Sequence, residues 1–109
     1  MKKLNFDIPQ PQIEINGEIY NILKSDADIF EAALDLEKRC RAIDKSDTEQ
    51  ILDACKKVQA FIDDILGKGA LAKIAAGKPV SLMKGIEIML AIANAAVESY
   101  AGYIKEEYD

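Results

Sequence analysis

The spacing of apolar residues starts with period two. Leu4, Phe6 and Ile8 alternate with polar neighbours, the pattern of a half-buried strand, and Pro9 and Pro11 then interrupt any ladder, so a short first strand is expected. The segment from Ile13 to Ile22 repeats the alternation around Asn16-Gly17, the pair suited to the two positive-φ positions of a type I′ turn. A two-residue loop pairs Ile15 with Glu18, Ile13 with Tyr20 and Pro11 with Ile22. Ile13, Ile15, Tyr20 and Ile22 then share one face of a β-hairpin. A lone hairpin is marginal in water, so that face should rest on helices or on a neighbouring subunit.

From Ser25 onward the period becomes helical. Ser25 reads as an N-cap, Asp26 and Asp28 occupy the first turn, and Lys38, Arg39, Arg41 and Lys45 lie near the far end, as the helix dipole favours; a helix over about 26–45 is predicted. Its buried stripe is Ile29, Ala33, Leu36, Cys40 and Ile43, widened by Phe30 and Leu34. Ser46-Asp47-Thr48-Glu49 has the form of a capping box with Ser46 at the N-cap, so a second helix starts almost at once and folds back on the first. Ile51, Cys55, Val58, Ile62 and Ile65 mark its inner stripe, with Leu52, Phe61 and Leu66 beside it, until Gly67 and Gly69 end it. Ala70 to Ala76 allow two further turns before Gly77-Lys78-Pro79 stop them. Ser81 opens a last helix that can run to about Tyr108, and its middle, Ile88 to Ala93, is apolar on nearly every side. The expected fold is mainly α, with an N-terminal β-strand and hairpin over 1–24 and, over 25–109, a bundle made of a helical hairpin, a short connector helix and a long C-terminal helix, all in one domain.

Composition narrows the classes of function. At 109 residues, 50% hydrophobic and 30% charged, the chain can bury one core, and disorder is not expected. A net charge of −5 repels phosphate backbones, so no nucleic-acid partner is expected. Lys2 and Lys3 are not followed by the apolar run of a secretory signal, and the apolar stretch Leu82–Val97 is interrupted by Lys84, Glu87 and Asn94, so neither export nor a membrane span is expected and the cytoplasm is the simplest address. Cys40 and Cys55 have no CxxC spacing and the chain has no histidine, which leaves too few ligands for zinc and no base to activate a thiolate.

Gly67-Lys68-Gly69-Ala70-Leu71-Ala72 matches G-x-G-x-x-A in form, but dinucleotide binding needs a strand before that turn and a helix precedes it here. Gly77-Lys78 is followed by Pro79 and lacks a P-loop's hydroxyl residue. The acid pairs Asp26 with Asp28, Asp44 with Asp47, and Asp63 with Asp64 sit at helix starts or on solvent faces, where general acid–base work is not supported. Asp44 to Cys55 lacks the central glycine of an EF-hand loop. No catalytic, metal-binding or cofactor-binding residue is assigned, and no cofactor is expected.

The run Phe61-Ile62-Asp63-Asp64-Ile65-Leu66-Gly67-Lys68-Gly69-Ala70-Leu71-Ala72-Lys73-Ile74, followed by a Gly-containing loop and a Ser-Leu-initiated helix, resembles the tail assembly chaperones of long-tailed (siphovirus-like) phages and prophages. The upstream strand, the Ile-Asn-Gly-Glu-Ile-Tyr hairpin and the helical hairpin are similar to the same family's layout. One departure is Ala75-Ala76, where relatives often carry an aromatic. The resemblance implies a non-enzymatic role in tail morphogenesis: binding the tape measure protein, keeping it soluble, and recruiting tail tube protein. From the residues themselves, excess apolarity points to Met83, Ile86, Met89, Leu90, Ala93, Val97, Tyr100 and Tyr103 of the last helix, with Ile13, Ile15 and Tyr20 of the hairpin, as the partner-binding surface. A homo-oligomer is expected too. The alternative is a structural homo-oligomeric tail connector or small scaffold subunit that buries the same helix permanently.

Overall fold

A computed structural model describes residues 1–108, and the side chains of residues 1–100. Six elements follow in order: β1 (Gln12–Ile15), β2 (Glu18–Asn21), α1 (Asp26–Arg41), α2 (Thr48–Leu66), α3 (Ala70–Ile74) and α4 (Leu82–Tyr108). The fold is mainly α with an N-terminal two-stranded antiparallel hairpin.

The hairpin has the expected register, Ile13 opposite Tyr20 and Ile15 opposite Glu18. Asn16 (φ 53°) and Gly17 (φ 82°) make the turn, where a β-branched side chain would be strained. The ladder continues one step further, because the Ile22 N–H donates to the Pro11 carbonyl at 2.9 Å. The hairpin rests on the helices. Asn16 Nδ2 donates to the Ile74 carbonyl, Glu18 pairs with Lys73, and Lys73 Nζ sits 5.8 Å from the centre of the Tyr20 ring. Upstream, the Leu4-Phe6-Ile8 alternation forms no strand, and all ten residues before Pro11 are exposed.

α1 begins at Ser25, whose hydroxyl accepts from the Asp28 N–H, but it ends at Arg41, not near residue 45. The cause lies in the loop. Asp44 Oδ1 accepts from both the N–H and the hydroxyl of Ser46, and the Asp44 N–H donates to Gln50 Oε1, so side chains satisfy the backbone that further helix would have used. Those two bonds hold the Asp44 carboxyl below its ordinary pKa. They also occupy Ser46, and the cap of α2 is Asp47, which accepts from the N–H groups of Glu49 and Gln50. The start of α2 is thus shifted by one residue from the capping box read in the sequence.

One continuous core joins the hairpin face to all four helices, with Ile22, Ile29, Ile62, Ile65 and Met89 fully buried. The stripes are narrower than predicted. Phe30, Leu34 and Leu52 lie exposed, and on α2 Ala54 is buried while Ile51 and Cys55 are half-buried. α2 ends at Gly67 (φ 113°), and Asp63 reaches over the connector to accept from the Leu71 N–H at 3.0 Å, so this acid caps α3 where a solvent-facing role was expected. The G-x-G-x-x-A stretch is therefore a joint between two helices. α3 is shorter than its expected two turns, closing at Ala75 and then at Ala76, which adopts a left-handed φ of 54°.

Candidate protein-interaction site

α4 is apolar around most of its circumference because three stripes run along it. Gly85, Met89, Ile92, Ala93 and Ala96 are buried and form the core stripe. Gly85 brings α4 against α2, since a Cβ there would stand 3.2 Å from Val58 Cγ1. On one flank, Met83, Ile86, Leu90 and Val97 follow the i, i+3, i+7, i+14 spacing of a single face. Met83 is 71% exposed and the other three are half-buried. On the other flank, Ile88, Ala91 and Ala95 repeat at i, i+3, i+7, roughly 140° round the helix from the first flank at 100° per residue. Lys84, Glu87, Asn94 and Glu98 occupy the remaining polar strip, where Lys84 and Glu87 pair at 3.1 Å.

The second flank borders an open groove of about 580 Å³ between α4 and β1. Ile13, Ile15, Ile74, Val80, Ile88 and Ala91 give it an apolar floor and walls, and Glu14, Lys78 and Lys84 stand at its rim. The backbone pairing leaves the groove side of β1 open. The Pro11–Ile22 bond makes alternate pairs the hydrogen-bonded ones, so Gln12 and Glu14 direct their N–H and C=O groups outward. Ser99 Oγ closes on the Gln12 carbonyl at 3.4 Å, and Glu14 has no such partner among the described residues.

The structure divides the partner-binding set read from the sequence. Met83, Ile86, Leu90 and Val97 form the first flank, and Ile13 and Ile15 line the groove. Met89 (0% exposed), Ala93 (6%) and Tyr20 (8%) are core residues, which removes them as direct contacts of a folded chain. Their apolar spacing was real, but it belonged to the stripe that α4 turns inward and to the face that the hairpin lays on the helices. Tyr100 is half-buried and its hydroxyl donates to the Lys24 carbonyl at 2.8 Å, tying α4 to the entry of α1. Burial, and secondarily the charge of Asp26, raise its pKa above the ordinary tyrosine value. The side chain of Tyr103 lies outside the described residues. The groove residues Ile74, Val80, Ile88 and Ala91 were not read from the sequence; for the two on α4 the spacing 88, 91, 95 was the available signal, hidden because α4 is apolar around most of its circumference.

Other chemistry is sparse. Cys40 and Cys55 are free and half-buried, and the Cys40 thiol is pushed up first by burial and then by Cys55 beside it. Among the described residues no group of three or more His, Cys, Asp or Glu is placed to hold a metal ion, and no helix is long and apolar enough to cross a membrane. In comparison with known proteins, residues 13–108 match the family of unknown function DUF6673, and the chain belongs to that family. No curated protein and no solved structure matches it.

Proposed function

We propose that this member of DUF6673 works without catalysis, by protein–protein contact, as a tail assembly chaperone of phages or prophages in the cytoplasm of the host bacterium. The observation that carries the reading is the first flank of α4, where Met83, Ile86, Leu90 and Val97 leave an apolar stripe along a long helix whose neighbouring stripe is committed to the core. Such a stripe suits an amphipathic partner helix laid alongside it with its own apolar residues at helical spacing. Methionine at the exposed end adapts to irregular partner surfaces. The net charge of −5 keeps a complex with an apolar partner soluble.

The choice of partner rests on the Phe61–Ile74 resemblance: the tape measure protein is the cargo, and tail tube protein is recruited afterwards. The run that carries the resemblance forms the end of α2, the Gly67–Gly69 joint and α3, which together support the hairpin and α4. Co-expression with a phage tape measure protein tests the reading. The chain should raise that protein's soluble yield and co-purify with it; no gain in yield and no co-purification would reject the chaperone role.

A further inference from the structure

The N-terminal arm poses a problem that one chain does not solve. Leu4, Phe6 and Ile8 are 76%, 79% and 84% exposed, yet they alternate with polar residues as a strand does when one face is covered. The groove between β1 and α4 poses the complementary problem. It has an apolar floor, an outward-facing backbone at Glu14, and a sheet of only two strands on one side. Two-stranded sheets gain from a third strand, and an open edge is a template for one.

We propose that the groove receives the arm of a second copy of this chain, residues 2–8 adding to the outer edge of β1 as a third strand, with Leu4, Phe6 and Ile8 laid onto Ile88, Ala91 and the apolar wall. Stiffness argues for a second copy over the chain's own arm. Pro9 and Pro11 fix φ and bias Ile8 and Gln10 towards extended backbone. Gln10 Nε2 donates to the Ile22 carbonyl at 2.7 Å, and Pro11 is held in the ladder. The segment thus leaves β1 straight, from the end remote from the Asn16-Gly17 turn, and a return along β1 would require a reversal within those residues.

Charge favours the acidic body over the groove rim itself, where Glu14, Lys78 and Lys84 sum to +1 and Lys84 is paired with Glu87. Residues 1–10 carry a side-chain charge of +1 from Lys2, Lys3 and Asp7, so the remainder of the chain carries −6 against a whole-chain −5. The basic head meets an acidic body, and at the rim Glu14 and Lys78 are opposite in sign to the arm's lysines and to Asp7 respectively. Reciprocal exchange sets the area each surface has to bury. Two arms and two grooves make four contacting surfaces, so each must bury about 400 Å² to reach the about 1,600 Å² of a standard interface. One outward residue gives few backbone bonds, and side-chain burial therefore supplies most of the affinity. The groove flank is separate from the Met83–Val97 flank, so the inference stands independently of the chaperone reading.

Light scattering coupled to size exclusion on the full chain is the first test. The wild-type chain should run as a dimer or larger, and Phe6→Asp with Ile8→Asp, or Ala91→Asp on the exposed groove lip, should each run as a monomer with unchanged helical circular dichroism. A monomeric wild type, or an oligomer that survives the arm substitutions, overturns the proposal. Cross-linking identifies the occupant. With the native cysteines replaced by alanine, Phe6→Cys and Ala91→Cys chains are mixed and oxidised with diamide; a disulfide between chains joining positions 6 and 91 supports exchange. A chain carrying both substitutions that closes only on itself, as a monomer, shows the arm in its own groove and rejects the second copy.

Discussion

Asp47 and Ser46 stand side by side, and either could have capped α2. The deciding factor is Asp44, which takes both the N–H and the hydroxyl of Ser46 and leaves Asp47 to accept from Glu49 and Gln50. Asp47→Ala should therefore cost about 1 kcal/mol in urea unfolding and Ser46→Ala clearly less, the reverse of what a Ser46 capping box requires. Tyr100 offers a second residue-scale check. Tyr100→Phe removes the bond to the Lys24 carbonyl and should cost about 1 kcal/mol near neutral pH. The fold holds the phenol proton more tightly than the unfolded chain does, so the stability linked to it is fully present below the ordinary pKa of 10 and is lost as pH rises through the raised folded value. Urea midpoints measured across that alkaline range should fall more steeply for the wild type than for Tyr100→Phe.

At the scale of elements, the order and type of segments were legible because each is punctuated. Ser25, Asn16-Gly17, Gly67-Lys68-Gly69 and Ser81 mark boundaries that the structure keeps or moves by a residue. Helix faces were less legible. Phe30, Leu34 and Leu52 look like core in a helical repeat, but a chain of this size has only as much core as its few helices can enclose, and periodicity does not say which edge of a wide stripe loses. The partner set mixes two kinds of position for the same reason: in α4, apolar around most of its circumference, sequence cannot separate Met89 and Ala93, which build the core, from Met83 and Val97, which border it. The strand expected at Leu4 to Ile8 failed for a different reason, since alternation alone makes no strand without a paired neighbour and these residues lie exposed and unpaired to any strand. Gly85 tests how α4 is seated. Its missing Cβ lets Val58 approach, so Gly85→Leu should force the α2–α4 contact apart and cost about 1–3 kcal/mol, read as a lower urea midpoint with retained secondary structure.

The whole molecule is elongated, with extents of 62 × 29 × 26 Å and a radius of gyration of 16.3 Å against the about 13 Å expected of a compact domain of this length. An elongated body has more surface to cover, and here the uncovered apolar surface is sorted into an arm, a groove and a helix flank. The central claim is that the flank carrying Met83 and Val97 captures a partner helix. The direct measurement is the amount of tape measure protein co-purified with the wild type and with Met83→Asp plus Val97→Asp, set beside Ala91→Asp on the opposite flank, all confirmed as folded by circular dichroism. The account predicts at least about tenfold loss for the first variant, the equivalent of about 1.4 kcal/mol, and capture close to wild type for Ala91→Asp. Undiminished capture by the Met83→Asp plus Val97→Asp chain would contradict it and turn attention to a structural, self-assembling subunit.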